Sequence, residues 1–271
     1  MQHIGVTFTI ASQEQADILT AILAESGYEG FEEADGRLLA YIADDLFDEP
    51  VIAGIAETMH IPYATEVIAP QNWNALWESN FQPVIIDGFC TIRAHFHHIP
   101  IHTPHEIVIT PKMSFGTGHH ATTRLVMTLM KDIRLEGATV FDFGTGTGVL
   151  AILASMLGAA RVLAIDNDTW SVENTTENIE RNNARGIDVQ LATADIVANK
   201  QFDVILANIN RHILLQYMQL LSQTVKPGGT IIMSGLLAED EAVITSAAAQ
   251  NNLRLKTVKE LSNWIAIVFE K

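Results

Sequence analysis

The chain of 271 residues has a single cysteine, Cys90, so it cannot close an intrachain disulfide and cannot build a zinc site on several thiolates. No apolar run approaches the ~18 residues that a membrane span requires. Met1-Gln2-His3-Ile4-Gly5 carries neither the basic n-region nor the apolar h-region of a secretory signal. These absences make a cytoplasmic protein without membrane association the expectation. Basic residues are scarce: sixteen Lys and Arg stand against thirty-two Asp and Glu, for a net charge of −16. A chain that held nucleic acid through its phosphates should show the opposite balance, so direct nucleic-acid binding is not expected. Internal repeats and low-complexity stretches are also missing. A composition of 48% apolar and 18% charged residues is that of a globular protein.

The acidic excess is unevenly placed. Residues 1–69 hold thirteen Asp and Glu against one basic residue, Arg37, whereas residues 70–271 hold nineteen acids against fifteen Lys and Arg. Such a surplus either keeps the segment soluble or steers a basic macromolecule toward it. The segment itself reads strand, helix, strand, strand, helix, strand. Ile4 to Ile10 alternates apolar and polar residues. Ser12-Gln13-Glu14-Gln15 is a capping-box pattern, followed at helical spacing by Ile18, Ile22 and Leu23. Asp35-Gly36 separates two strand-like runs as a hairpin turn would, and Asp48 with Pro50 opens a second helix that ends before Pro62. This order predicts a ferredoxin-like α+β domain over 1–69.

Pro70 marks a boundary. Residues 70–82, with Trp73, Trp77 and Phe81, predict a short linker helix, and residues 83–271 form the second domain. After short strands and loops over 84–109, helices and strands alternate to residue 250, and two paired strands close the chain. That rhythm predicts an α/β domain with a mainly parallel, Rossmann-like sheet covered on both faces, and ligands on the edge where its strands end.

One run of that sheet carries chemistry. Val140-Phe141-Asp142-Phe143 is a strand that enters Gly144-Thr145-Gly146-Thr147-Gly148 and then a helix. Glycines there let the backbone approach a ligand, and the helix N-terminus is expected to offer it free N–H groups. A dinucleotide fingerprint needs its third glycine where Val149 stands, which weakens a nicotinamide reading. The G-x-G-x-G spacing with Asp142 ahead of it is similar to motif I of class I methyltransferases that use S-adenosylmethionine. Asp166 ends the next strand, where its carboxylate can accept both ribose hydroxyls; a helix follows, so a capping role competes, although Asn167, Asp168 or Thr169 can also cap. Asp195, after the third strand, is a weaker candidate for the adenine end. The strand Phe202 to Ala207 delivers Asn208 to the same edge, where its amide can accept from an amine and donate to a cofactor.

The segment Met113-Ser114-Phe115-Gly116-Thr117-Gly118-His119-His120-Ala121-Thr122-Thr123-Arg124-Leu125 decides between families. Together with Asp142 to Gly148 and Ala207-Asn208-Ile209 it resembles the ribosomal protein L11 methyltransferase (PrmA) family over residues from about 72 onward. The acidic segment matches that family only in size and element order. The resemblance implies a class I methyltransferase domain behind a substrate-recognition domain, and S-adenosylmethionine as cofactor. It implies cofactor contacts at Thr123, Gly144, Asp166 and Asn208, with Asn208 also the catalytic residue and no metal. It further implies transfer to lysine side chains and the α-amine of a basic ribosomal protein, L11, by a monomer. Pro111-Lys112 and Ala121 depart from the family's habit and bear on loop shape rather than on the cofactor. Alternatives are a methyltransferase of another protein or of RNA, and a cofactor-binding module without turnover. The histidines at 95, 97, 98, 102 and 105 sit on strand-like stretches without thiolates and read as structural rather than metal-binding. His119 and His120 read as loop or pocket residues rather than as a base.

Overall fold

The computed structural model describes residues 3–34, 36–68, 81–112 and 114–271. The chain divides into two compact units, Met1–Asn80 and Phe81–Lys271. The linker helix expected over 70–82 lies almost wholly outside the described residues. Among those residues no helix is long and apolar enough to cross a membrane.

The first unit runs β1 (His3–Thr9), α1 (Gln13–Glu25), β2 (Gly30–Ala34), β3 (Arg37–Ala43), α2 (Glu49–Met59) and β4 (Tyr63–Ile68). Its sheet has the order β2-β3-β1-β4 with every pair antiparallel, the ferredoxin-like arrangement. Strand alternation sends Ile4, Val6, Phe8, Leu38, Ala40 and Ile42 to one face, where Leu19 and Leu23 of α1 and Ile52 of α2 cover them. The opposite face brings Glu66, Gly5 and Tyr41 into one row. Burial first, then the carboxylates Glu32 and Glu66, push the Tyr41 hydroxyl pKa up, which marks that face as locally anionic. At the start of α1 the Ser12 hydroxyl accepts from the Gln15 N–H at 3.3 Å. The reciprocal bond differs from the expected capping box: Gln15 Oε1 accepts from Ala11, one residue before the cap. The buried face of α1 is Ala16, Leu19 and Leu23, whereas Ile18 and Ile22 face outward.

The second unit opens with a small sheet of β5 (Val84–Ile86), β6 (Cys90–Ala94) and β7 (His105–Ile109). There follow α3 (Ala121–Met130), β8 (Thr139–Phe143), α4 (Val149–Met156), β9 (Arg161–Asp166), α5 (Thr169–Arg181), β10 (Ile187–Leu191) and β11 (Phe202–Asn208). The chain ends with α6 (Arg211–Thr224), β12 (Val225–Leu237), α7 (Glu241–Gln250), β13 (Arg254–Leu261) and β14 (Trp264–Glu270). The large sheet has the order β10-β9-β8-β11-β12-β14-β13, parallel as far as β12, with β14 antiparallel to both neighbours. The order reverses beside β8, so the crevice a doubly wound sheet offers to ligands opens at the ends of β8 and β11.

Each central strand feeds two cores. Val140, Val162, Val204, Leu206 and Ile232 pack with α3 and α4 on one face, and Phe141, Phe143, Ile165, Ile205 and Phe269 pack with α6 and α7 on the other. The second core is organised by aromatic stacking: Phe141 lies 5.2 Å from Phe202 and 5.9 Å from Phe143, centroid to centroid. β12 extends over thirteen residues. Lys226-Pro227-Gly228-Gly229 forms a bulge within it, so Phe202 pairs with Val225 and Val204 with Thr230. Lys226 reaches back from that bulge to Asp203 at 2.8 Å.

Phe141 is fully buried at the centre of the second core. Phe141→Ala is expected to lower unfolding stability by ~3–5 kcal/mol, read from urea denaturation of the full chain. A loss under ~1 kcal/mol would place the organising contact elsewhere.

Candidate functional site

At the crevice lies a cavity of about 660 Å³. Gly144 and Gly146 line it from the β8–α4 loop, Asp166 and Asn167 from the end of β9, and Ala192 to Ala194 from the segment after β10. Asn208 and Ile209 close it from the end of β11, and Phe115, His120, Thr122 and Trp264 from the side facing the 114–122 segment. Three of the four expected cofactor residues, Gly144, Asp166 and Asn208, thus share one cavity. Thr123 is fully buried behind the wall, and its hydroxyl accepts from Asn208 Nδ2 at 3.4 Å.

That bond orients the Asn208 amide. Its Oδ1 is buried and has no hydrogen-bond partner. A buried amide oxygen without a donor costs ~1–3 kcal/mol, which singles out Asn208 among the residues that line the cavity.

The β8–α4 loop is tied up from within. Gly144 and Thr145 donate their N–H groups to Ile165 O, Thr147 donates to Phe115 O, and Gly148 donates to Thr145 O, all at 2.9–3.0 Å. Gly146 N–H goes to Asp166 Oδ2 at 3.0 Å. None of the five loop N–H groups is left for a ligand, so the loop is no phosphate cradle of the kind a dinucleotide needs. What it offers is close approach along a chain edge free of side chains. Gly146 shows why a glycine is required: its φ is +58°, and a Cβ there would collide with the Phe115 carbonyl.

Asp166 is freed for the cavity by its neighbour. Asp168 is the cap of α5, accepting from Trp170 N–H at 3.3 Å and Ser171 N–H at 3.1 Å. Asp166 accepts one N–H on each oxygen, from Gly146 and from Asp168, and each oxygen keeps a second lone pair for a hydroxyl. Asp195 does not line the cavity. Its carboxylate accepts from Thr193 Oγ1 at 3.0 Å and Tyr217 Oη at 3.4 Å, while Thr193 and Tyr217 themselves face the space.

The two histidines of the 114–122 segment have separate tasks. His120 Nδ1 takes the Thr122 N–H as the cap of α3, and its ring packs edge-on to Trp264 at 4.6 Å and Phe115 at 5.2 Å. His119 turns away and bonds Gln82 O at 2.9 Å. His97 bonds Phe81 O at 2.6 Å. Among the described residues no group of three or more His, Cys, Asp or Glu side chains could hold a metal ion. Trp264 and Gly235 line the cavity without having been singled out by sequence reasoning. Gly235 bends β12 over the Asn208 segment at a break in its pairing with β14, where a Cβ would meet Ile209 O at 2.5 Å. A break signalled only by a glycine in an apolar run was the available clue.

Beneath the loop, Asp142 is fully buried. Thr145 Oγ1 donates to its Oδ2 at 2.7 Å, and its Oδ1 has no partner. Burial pushes this carboxyl up to about 7, against the Thr145 bond and with help from the Asp166 charge. The unfolded chain releases this proton near pH ~4 while the folded chain keeps it until pH ~7, so folded stability declines across that window. Asp142→Asn keeps an acceptor for Thr145 and cannot ionise. The variant should lose the decline between pH ~4 and ~7 and exceed wild type above it by a few kcal/mol, on the order of ~1.4 per pKa unit. Parallel pH–stability curves for the two proteins would show that Asp142 is not the titrating group.

The sequence of residues 2–271 matches the family model described as Ribosomal protein L11 methyltransferase (PrmA). A curated relative from Porphyromonas gingivalis, named Ribosomal protein L11 methyltransferase, is 42% identical over 260 residues, covering 93% of this chain and 90% of the relative. One from Phocaeicola vulgatus with the same name is 39% identical over 278 residues, 99% of both chains. Among solved structures, the ribosomal protein L11 methylase of Lactobacillus delbrueckii subsp. bulgaricus superposes with a TM-score of 0.65 at 28% identity, over 70% of this chain and 99% of that one. With a cavity at the switch point of a doubly wound sheet, and a match that runs nearly from end to end, the chain belongs to the ribosomal protein L11 methyltransferase (PrmA) family.

Proposed function

We propose that this protein transfers methyl groups from S-adenosylmethionine to amino groups, lysine side chains and the α-amine, of ribosomal protein L11. The observation that carries the reading is the orphan Oδ1 of Asn208, held at the cavity wall by the Thr123 bond. The cavity fits the cofactor's chemistry. Asp166 has spare acceptor capacity for a ribose, and the internally bonded glycine loop suits a ligand without phosphates. Gly144, Asp166 and Asn208 would hold it, with Thr123 acting from behind the wall through Asn208.

When bound, S-adenosylmethionine supplies a methyl group already activated by its sulfonium. The protein's remaining task is to present a neutral amine in line. A lysine amine with pKa ~10.4 holds its proton at neutral pH, and a neutral one costs ~4–5 kcal/mol. The lining opposes the charged form. Among the described residues its one carboxylate is Asp166, and Phe115, Phe143, Ile209, Ile213 and Trp264 supply apolar lining. An ammonium entering there is desolvated without an anionic partner, which lowers its pKa and returns its proton to water. Asn208 Oδ1 then accepts one remaining N–H and aims the lone pair.

The first unit supports a basic protein as substrate. Residues 1–69 hold thirteen acids against a single arginine, and Glu32 and Glu66 lie around Tyr41 on the sheet face opposite the two helices. We assign residues 1–69 to docking, residues 70–82 to the connection and residues 83–271 to catalysis, in a monomer. A ribosomal substrate places the protein in the cytoplasm, and the acid surplus disfavours RNA as the acceptor.

Transfer of labelled methyl groups to purified ribosomal proteins tests the assignment, with label in L11 expected and label confined to RNA or to unrelated proteins overturning it. Asn208→Ala should cut turnover by ~100-fold, as loss of one positioned polar group does; unchanged turnover with unchanged cofactor affinity would remove Asn208 from the mechanism. A chain lacking residues 1–69 should bind S-adenosylhomocysteine like the full protein and leave L11 unmethylated, and L11 methylated at the full rate would refute the docking role.

A further inference from the structure

The helix α5 contributes no residue that the function has used so far except its lining Ser171, yet its polar side chains hold the cavity's framework. Asn174 and Asn178 on α5 and Asn182 at its end lie four residues apart, on one helical face. All three face the free edge of β7. Asn182 accepts from Val108 N–H at 2.8 Å and donates to Val108 O at 2.7 Å. Asn178 accepts from Thr110 N–H at 2.8 Å, and Asn174 donates to Thr110 O at 3.0 Å. Side-chain amides thus take the place of a neighbouring strand, which leaves the edge paired.

At one end this ladder reaches the glycine loop. Asn178 Nδ2 donates to Thr147 O at 2.8 Å, and Thr175 Oγ1 donates to Gly146 O at 2.8 Å. Asn178, Thr175 and Thr147 are fully buried. With both carbonyls turned toward α5, the Thr147 N–H points the other way and takes the Phe115 carbonyl, and the Thr147 hydroxyl takes Gly116 O at 2.7 Å. Phe115 lines the cavity. The orientation of two peptide groups therefore sets both the floor of the site and the position of its Phe115 wall.

We propose that Asn178 and Thr175 are positioning residues for the cofactor: they fix the Gly146 and Thr147 peptides and, through Thr147, the Phe115 segment. This rests on the cavity being the S-adenosyl site. Removing the Asn178 amide leaves a buried carbonyl without a donor, and the peptide relieves this by rotating or by admitting water. Either response moves the surface on which the ligand packs. Asn182 makes three side-chain hydrogen bonds against the two of Asn178, but all of them lie at the strand edge and helix end, and none touches the loop.

The comparison of these residues separates positioning from stability. The measurements are the melting temperature and the calorimetric Kd for S-adenosylhomocysteine, on the full-length chain. Asn178→Ala should raise that Kd about tenfold, and the near-isosteric Thr175→Val about fivefold, each the equivalent of roughly one net hydrogen bond. Asn182→Ala should lower the melting temperature as much as Asn178→Ala does and change Kd by less than about twofold. A Kd that rises in step with the loss of melting temperature across all three variants, or one that stays at the wild-type value in both loop variants, would overturn the positioning role. If Asn178→Ala does not fold, Thr175→Val against Asn182→Ala decides. Wild-type protein that fails to bind S-adenosylhomocysteine would instead remove the cofactor site, and this role with it.

Discussion

The site depends on the absence of one carbon atom. Without a Cβ on Gly146, the chain after β7 can lay the Phe115 carbonyl against the loop between β8 and α4 and take the Thr147 N–H. That contact joins two segments more than thirty residues apart, and what each brings to the cavity follows from it. The earlier segment brings Phe115, His120 and Thr122, and the later one brings the strand ends with Gly144. Any side chain at position 146 would force the segments apart. Loss of the pocket, rather than a weaker ligand contact, is the first consequence of filling that space.

The same geometry restricts the ligand class. A loop of alternating glycines at the end of a parallel strand is commonly read as an anion site, because helix N-termini have N–H groups to spare. Here every N–H of the loop is bonded inside the protein, one of them to the carboxylate of Asp166. A pyrophosphate placed against the loop would meet the Asp166 carboxylate and find no loop N–H to take. A ligand with hydroxyls to give and no phosphate meets acceptors instead, which agrees with the family to which the chain belongs.

Much of this was legible in the residues. Apolar runs located β8 and β11 to within one residue, because strands buried on both faces tolerate little else. Glycine spacing and strand ends located Gly144, Asp166 and Asn208. The misreadings share a cause, which is that the deciding partner is distant in sequence. Ile18 and Ile22 satisfied helical spacing, but the sheet sits against Leu19 and Leu23, and apolar periodicity in a helix with several candidate stripes does not say which one meets the sheet. β12 continues past Gly235 because β14 pairs on both sides of the break. The partners that take the glycine loop's N–H groups, Ile165, Phe115 and Asp166, do not follow from the glycine spacing. Thr123 serves the site through Asn208, 85 residues away, and the asparagine ladder of α5 looks in sequence like an ordinary polar face.

The distribution of acids, on the reading proposed above, resolves two opposed electrical demands. Capturing a basic protein requires negative charge, which acts through water over ~8–10 Å at physiological salt. Methylating its amines requires the reverse, because a carboxylate beside the amine would hold it as an ammonium and withhold its lone pair. A single acidic pocket would bind the substrate and fail to react with it. This chain keeps the two demands in different units. Residues 1–69 hold the surplus, whereas the cavity exposes one carboxylate, Asp166, already engaged by two backbone N–H groups. Beneath the loop, burial raises the pKa of Asp142 to about 7, so that near neutrality it is often uncharged. The neutral amide of Asn208 can guide an amine without stabilising its proton as a carboxylate would, which is a physical reason for an asparagine rather than an aspartate at the end of β11.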